Sequence, residues 1–212
     1  MDKYLCSSWK NFLYVLATNI SQGYYFYSKF EYPETKKDKW FQIDTKLKRK
    51  LPVSISKDQR YRKKKKGEAN YRFFRFENQA VFLKTKGTPV PQDDEKWAEI
   101  AGKTKLPVQI GTLIFEIFKN EEKFSVKLAR ESFRDVKAEI RELLAKKQLN
   151  YALKKLNNLN GLPNYRGIQQ QKKEIIKFFK IEAKKHFNKV KIPPENFKIK
   201  TTKLYSGDLF IK

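Results

Sequence analysis

The sequence predicts an α+β fold of antiparallel hairpins covered by helices, with a C-terminal helical lobe. Three observations carry that reading. Two pairs of strand-like runs are each joined by a short polar turn. Apolar residues recur at helical spacing before the first strand and through the last third of the chain. The C-terminal helical runs follow one another instead of alternating with strands, which is the α+β pattern.

Taken in order, Trp9, Phe12, Leu13, Leu16 and Ile20 share one helical face behind the cap candidates Ser7 and Ser8, with an end near Gly23. Tyr24 to Tyr32 is an aromatic strand stopped by Pro33. Asp38 to Leu51 carries Trp40, Phe41, Ile43, Leu47 and Leu51 between basic residues, a basic amphipathic helix stopped by Pro52. Lys57 to Gly67 reads as a cationic loop, mobile when free and ordered on binding.

Tyr71–Phe76 and Ala80–Thr85 flank Glu77-Asn78-Gln79 as a hairpin. Gly87 to Pro107 is a long polar connection with a short helix expected around Trp97. A second hairpin runs from Val108 to Phe118, with Gly111 as a bulge. It turns through Lys119–Lys123 and returns over Phe124–Leu128.

Three helices follow. The first starts at Ser132 with Asp135 and carries Phe133, Val136, Ile140, Leu143 and Leu144. Leu149, Leu153 and Leu156 mark the second, ended by Asn160-Gly161; Ile168 to Phe187 is the third, broken by Pro193-Pro194. Phe197 to Tyr205 alternates as a last strand. The expected division is a basic α+β domain over residues 1–148 and a helical extension over 149–212.

Composition narrows the function. The 212 residues hold 48 Lys or Arg against 23 Asp or Glu, a net charge of +25. So large an excess repels itself unless something anionic neutralises it, and nucleic acid is the usual partner. Between Lys36 and Arg75 sixteen basic residues face four acids, an excess of twelve in forty residues. A solvated face normally mixes both signs, so this window reads as a polyanion surface.

Other chemistries lack their residues. One cysteine, Cys6, makes no disulfide or thiolate cage, and one histidine, His186, reads as a polar residue on a basic helix. Asp93-Asp94-Glu95 and Glu121-Glu122 read as solubilising loop acids, and Glu116 alone is placed within a sheet, so no two-metal site is expected. No nucleotide, zinc or cofactor motif occurs, and no run of 18 apolar residues or clear signal peptide is present, so the expectation is a cytoplasmic protein with no cofactor and no membrane.

Candidate nucleic-acid contacts fall in two sets. Lys48, Arg49, Lys50, Arg60, Arg62, Lys63, Lys64, Lys65 and Lys66 would neutralise backbone phosphates. Tyr61, Tyr71, Arg72 and Arg75 would stack and orient bases. Strand alternation puts Arg72, Phe74 and Phe76 on one face and Tyr71, Phe73 and Arg75 on the other. The phenylalanines read as core, while Tyr71 and Arg75 read as a ligand face. Lys172, Lys173, Lys177, Lys180, Lys184, Lys185 and Lys189 form a basic stripe on the last helix that could extend the surface.

The element order loosely resembles that of rolling-circle relaxases and of ferredoxin-like CRISPR repeat-processing endoribonucleases. The relaxases hold a metal with a histidine pair, which this chain lacks. The endoribonucleases can cleave RNA without metal, using His, Tyr or Lys to activate the ribose hydroxyl. That resemblance is of element order only, and it implies a ferredoxin-like or related sheet. The main expectation is a non-enzymatic nucleic-acid-binding protein, RNA over DNA, in a ribonucleoprotein or mobile-element complex. The C-terminal helices would be free to hold a protein partner. A metal-independent endoribonuclease with a Tyr or Lys of the patch as base, or a scaffold for an acidic partner, are the alternatives.

Overall fold

The computed structural model describes residues 3–120, 123–187, 197–200 and 202–211. They divide into two units, one of residues 1–106, 118–124 and 205–212, the other of residues 107–117 and 125–204. The boundary lies ahead of Leu149, because residues 107–117 and 125–148 group with the C-terminal helices.

In the first unit Trp9–Ser21 forms α1, capped by the Ser8 hydroxyl, which accepts from the Asn11 N–H at 3.2 Å. Phe26–Glu31 forms β1, a 3-10 turn covers Glu34–Lys39, and Trp40–Lys50 forms α2. Lys57–Lys65 is a helix, α3, where a loop is expected from sequence. Tyr71–Phe76, Gln79–Lys84 and Ala98–Glu99 form β2, β3 and β4. The strand order is β2-β3-β1-β4, with every pairing antiparallel. This is the order of a ferredoxin-like sheet, with an irregular segment, residues 85–97, where that fold has its second helix. No helix forms around Trp97.

Both faces of this sheet are covered. Phe73 lies opposite Phe82, and Arg75 opposite Ala80. With Tyr71 they face a core built with Tyr32, Trp40, Leu51 and Val53, against which Ile43 and Leu47 of α2 pack. On the other face Phe74, Val81 and Leu83 are buried. Phe12 of α1 meets Phe76 there at 6.2 Å between ring centroids, and Phe210 stacks on Phe74 at 6.2 Å. A strand buried on both sides carries apolar residues without a clean alternation, which is what Phe73-Phe74 shows. Phe41, expected in the apolar stripe of α2, is 69% exposed instead.

The outer edge of β2 is closed by the N-terminal segment. Arg75 donates its N–H to the Tyr4 carbonyl at 2.9 Å and accepts from the Cys6 N–H at 2.8 Å. Ile211 donates in turn to the Leu5 carbonyl at 2.9 Å. The edge of β2 is thus covered at Arg75.

Arg75 corrects one sequence expectation. Its Nε donates to both oxygens of Asp44 at 2.9 Å, its Nη1 to the Glu77 carbonyl at 2.8 Å. The guanidinium lies over the Tyr32 and Trp40 rings at 5.7 and 5.6 Å. The Tyr32 hydroxyl also donates to Asp44 at 2.8 Å. Burial, reinforced by Asp44, pushes the Tyr4 hydroxyl up to about 12 and raises Tyr32 too, so both stay protonated. Arg75 is a core residue because a carboxylate waits for it on α2.

Leu106–Ile110, Leu113–Asn120 and Lys123–Leu128 form β5, β6 and β7, an antiparallel sheet in that order whose residues fall mostly in the second unit. A turn at Gly111 separates β5 from β6, so the bulge expected there is a strand break. Arg130–Ala145, Leu149–Asn158 and Arg166–His186 form α4, α5 and α6. Ser132 lies inside α4, and its hydroxyl accepts from the Ile114 N–H at 2.8 Å. Gln171 of α6 pairs its amide with both backbone groups of Leu128, at 2.7 and 2.9 Å. The described residues between Phe197 and Tyr205 form no strand. Glu121, Glu122, Lys189, Pro193 and Pro194 lie outside the described residues.

Removing one partner of a buried ion pair strands the other charge, at a cost of about 3–5 kcal/mol. Asp44→Ala should lower stability by that amount in urea unfolding, whereas exposed Lys36→Ala should change it by less than about 0.5 kcal/mol. Equal effects of the two would contradict the account.

Candidate nucleic-acid interface

A helix of like charges needs help at its ends, and α3 has it at both. The Ser56 hydroxyl accepts from the Gln59 N–H at 3.1 Å, and Gln59 Oε1 accepts from the Ser56 N–H at 2.8 Å. This is a reciprocal capping box. At the C-terminus Gly67 donates to the Lys64 carbonyl at 3.1 Å and Glu68 to the Lys63 carbonyl at 3.0 Å. That Schellman pattern needs a left-handed residue, and Gly67 supplies it with φ +73°. Cations in the last turn, Arg62 to Lys65, also suit the negative end of the helix dipole.

The chain then ties down at once. Thr88 donates to the Gly67 carbonyl at 2.8 Å, and Ala69 to the Thr88 carbonyl at 2.9 Å. Gly87 makes the approach possible, since a Cβ there would lie 2.6 Å from the Glu68 carbonyl carbon. Asn70 donates its side-chain amide to the Arg60 carbonyl at 3.1 Å. So α3 is fixed at its ends while none of its residues is buried.

Six of its nine residues are basic and one, Asp58, is acidic. Lys63 pairs with Glu68 at 2.8 Å, a hydrogen bond that holds the Glu68 carboxyl below its ordinary value. Among the described residues Arg62, Lys64 and Lys66 have no carboxylate partner. Tyr61 is 64% exposed, with the Lys65 ammonium 5.9 Å from its ring centre.

The connector 51–56, between α2 and α3, lies between two hollows. One, about 300 Å³, is lined by Lys3, Lys48, Arg60 and Arg72 with Ser54 and Ser56. The other, about 430 Å³, is lined by Lys48, Arg49, Lys50 and Lys63. No carboxylate of the described residues lines either. Lys48 reaches over the Tyr4 ring at 4.0 Å. Lys50 is already paired with Asp94 at 2.7 Å and Glu95 at 2.6 Å, and these carboxylates hold it charged.

The structure therefore gathers Lys48, Arg49, Lys50, Arg60, Lys63 and Arg72 around the hollows, and sets Tyr61, Arg62, Lys64, Lys65 and Lys66 on exposed helix or its cap. Tyr71 and Arg75 stand elsewhere. Tyr71 is 0% exposed; its hydroxyl donates to Asp93 at 2.9 Å and accepts from the Val90 N–H at 3.2 Å. Burial, chiefly, raises that hydroxyl, which suits neither a base nor a stacking group. On α6, Lys172 is buried and donates to the Leu162 carbonyl at 3.2 Å, so it leaves the basic stripe.

The acids of residues 93–95 also differ from expectation. Asp93 has a side chain 1% exposed and accepts from Tyr71, from Lys84 at 3.1 Å and from Trp97 at 2.7 Å. Glu95 accepts from Ser28 at 3.2 Å as well as from Lys50. These acids pin the segment 85–97 onto the sheet. Sequence reading missed Lys3, which only the pairing of Leu5 with Arg75 brings to the hollow.

No protein-family model and no curated protein matches the chain. Among the described residues no helix is long and apolar enough to cross a membrane.

Burial alone would raise the Asp93 carboxyl, but the hydrogen bonds from Trp97, Tyr71 and Lys84 outweigh it and hold it below its ordinary value. Such a group stabilises the fold above its unfolded pKa of about 4 and loses that contribution as pH falls through its lower folded value. Asp93→Asn should thus be less stable at neutral pH and lose less on acidification below about pH 4, read from urea midpoints across pH. Parallel acid limbs in the two proteins would contradict this.

Proposed function

We propose that the chain binds nucleic acid along α3 and the last turn of α2, chiefly through backbone phosphates, as a binding component of a ribonucleoprotein and not as an enzyme. The observation that carries the reading is α3 itself. A helix with six cations, one acid and no buried residue contributes nothing to a core. Its like charges repel each other and weaken the fold that carries them. A polyanion removes the repulsion and releases condensed counterions on binding.

RNA is the favoured polymer, on a ground different from the sheet platform expected at first, since β2 and β3 are buried on both faces. Tyr61 is an exposed ring among cations, suited to an unpaired base, and unpaired bases belong mainly to RNA loops and single strands. An acidic protein is the competing partner, and polyglutamate is its proxy.

Replacing Arg62, Lys64 and Lys66 together by Ala should flatten the slope of log K against log salt for single-stranded RNA. Each lost phosphate contact removes about 0.7 of slope, so the triple variant should lose about 2. An unchanged slope, or equal competition by polyglutamate, would overturn the reading. Cleavage of labelled RNA in EDTA would replace binding with the endoribonuclease alternative.

A further inference from the structure

We propose that α6 carries a second nucleic-acid site, a straight row of cations for the phosphate backbone of a base-paired RNA segment. The proposal goes beyond the α3 site and rests on that reading only for the kind of polymer. Arg166, Gln170, Lys173, Lys177, Lys180 and Lys184 follow one another at steps of four, three, four, three and four residues. Those steps average the helical period of about 3.6 residues, so the six share one line, within about 40°, over about 27 Å of helix. All six are exposed, and none is acidic.

An ordinary solvated face mixes both signs, and α4 of the same unit does so, with four basic and four acidic residues. A coding bias toward lysine would act on both helices alike. On α6 the two acids stand off the row. Glu182 is buried, where it takes Lys185 at 2.7 Å and Arg141 at 3.7 Å, and Glu174 lies on the flank. Lysines three or four residues apart on one face repel one another. The row therefore weakens the helix that carries it until an anion lies along it.

The row is held in place from behind. Ile168, Ile175, Phe179 and Ala183 are buried on the other side of the helix. At its start Gly167 donates to the Ser125 hydroxyl at 3.1 Å, and a Cβ there would lie 2.6 Å from the Val126 carbonyl oxygen. At its end the Lys147 ammonium donates to the His186 carbonyl at 2.6 Å. A fixed line of cations suits the fixed phosphates of a duplex, which proteins recognise by shape and backbone contacts. Single-strand sites instead set exposed rings among their cations, as α3 does with Tyr61. The one large apolar side chain exposed on α6 is Ile181, so the row offers no ring for an unpaired base.

The test compares a short, fully paired RNA duplex with a single-stranded oligouridylate by fluorescence anisotropy across salt concentrations. Lys173→Gln, Lys177→Gln and Lys184→Gln together put a good helix former at exposed positions, and the urea midpoint checks the fold. The duplex slope of log K against log salt should fall by about 2–3, at about 0.9 for each lost phosphate, while the single-strand slope holds. Arg134→Gln, Lys146→Gln and Lys154→Gln remove as much charge from exposed positions off the row, and should leave both slopes within about 0.9. An unchanged duplex slope, an equal fall for the single strand, or an equal fall in the off-row variant overturns the row as a duplex site. If the Arg62, Lys64 and Lys66 variant leaves the single-strand slope unchanged while the row variant still flattens the duplex slope, the row stands and the α3 reading falls.

Discussion

Asp44 receives Arg75 on both carboxylate oxygens and the Tyr32 hydroxyl on one of them, all within the face of the sheet that α2 covers. Two charges at that depth hold only when each finds the other, so the pair fixes α2 in register with β2. From that register the rest of the basic surface follows. The last turn of α2 delivers Lys48, Arg49 and Lys50, the connector 51–56 turns the chain, and Ser56 starts α3 where its end can meet Gly87 and Thr88. The same strand residue, Arg75, takes the N-terminal segment on its backbone, which brings Lys3 to the hollow. One side-chain pair and one backbone pair thus assemble groups from both ends of the first 75 residues.

The excess charge is distributed with a division of labour. Lysines with acids beside them do structural work: Lys84 with Asp93, Lys50 with Asp94 and Glu95, and Lys63 with Glu68. Those acids are the ones that hold the segment 85–97 and the end of α3 in place. On α3 six cations stand against one acid, and none of its residues is buried. Separation of this kind lets a strongly basic chain keep an ordered core while presenting cations to a partner.

Periodicity made the covered elements legible. The stripe Phe12, Leu13, Leu16 and Ile20 gave α1, and the strand alternation correctly put Tyr71, Phe73 and Arg75 on one face. It could not say that both faces are buried, because that depends on α1 and α2 arriving from distant parts of the chain. Arg75 looked like a surface group since its partner lies 31 residues away. The helix α3 left no periodic signal, having no apolar stripe; Ser56-Lys57-Asp58-Gln59, a capping-box pattern, was the one local cue to it. Asp93 looked like a loop acid for the same reason as Arg75, its donors being Tyr71, Lys84 and Trp97 around a bend no local pattern encodes.

The central claim is that the ligand lies on α3 and the end of α2, with β2 and β3 buried on both faces. Amide hydrogen exchange with and without a saturating single-stranded RNA reads this directly. The account predicts slowed exchange across residues 48–66, which include a helix with no buried residue, and unchanged exchange across Tyr71–Phe76. New protection centred on β2 and β3, with none in α3, would contradict it.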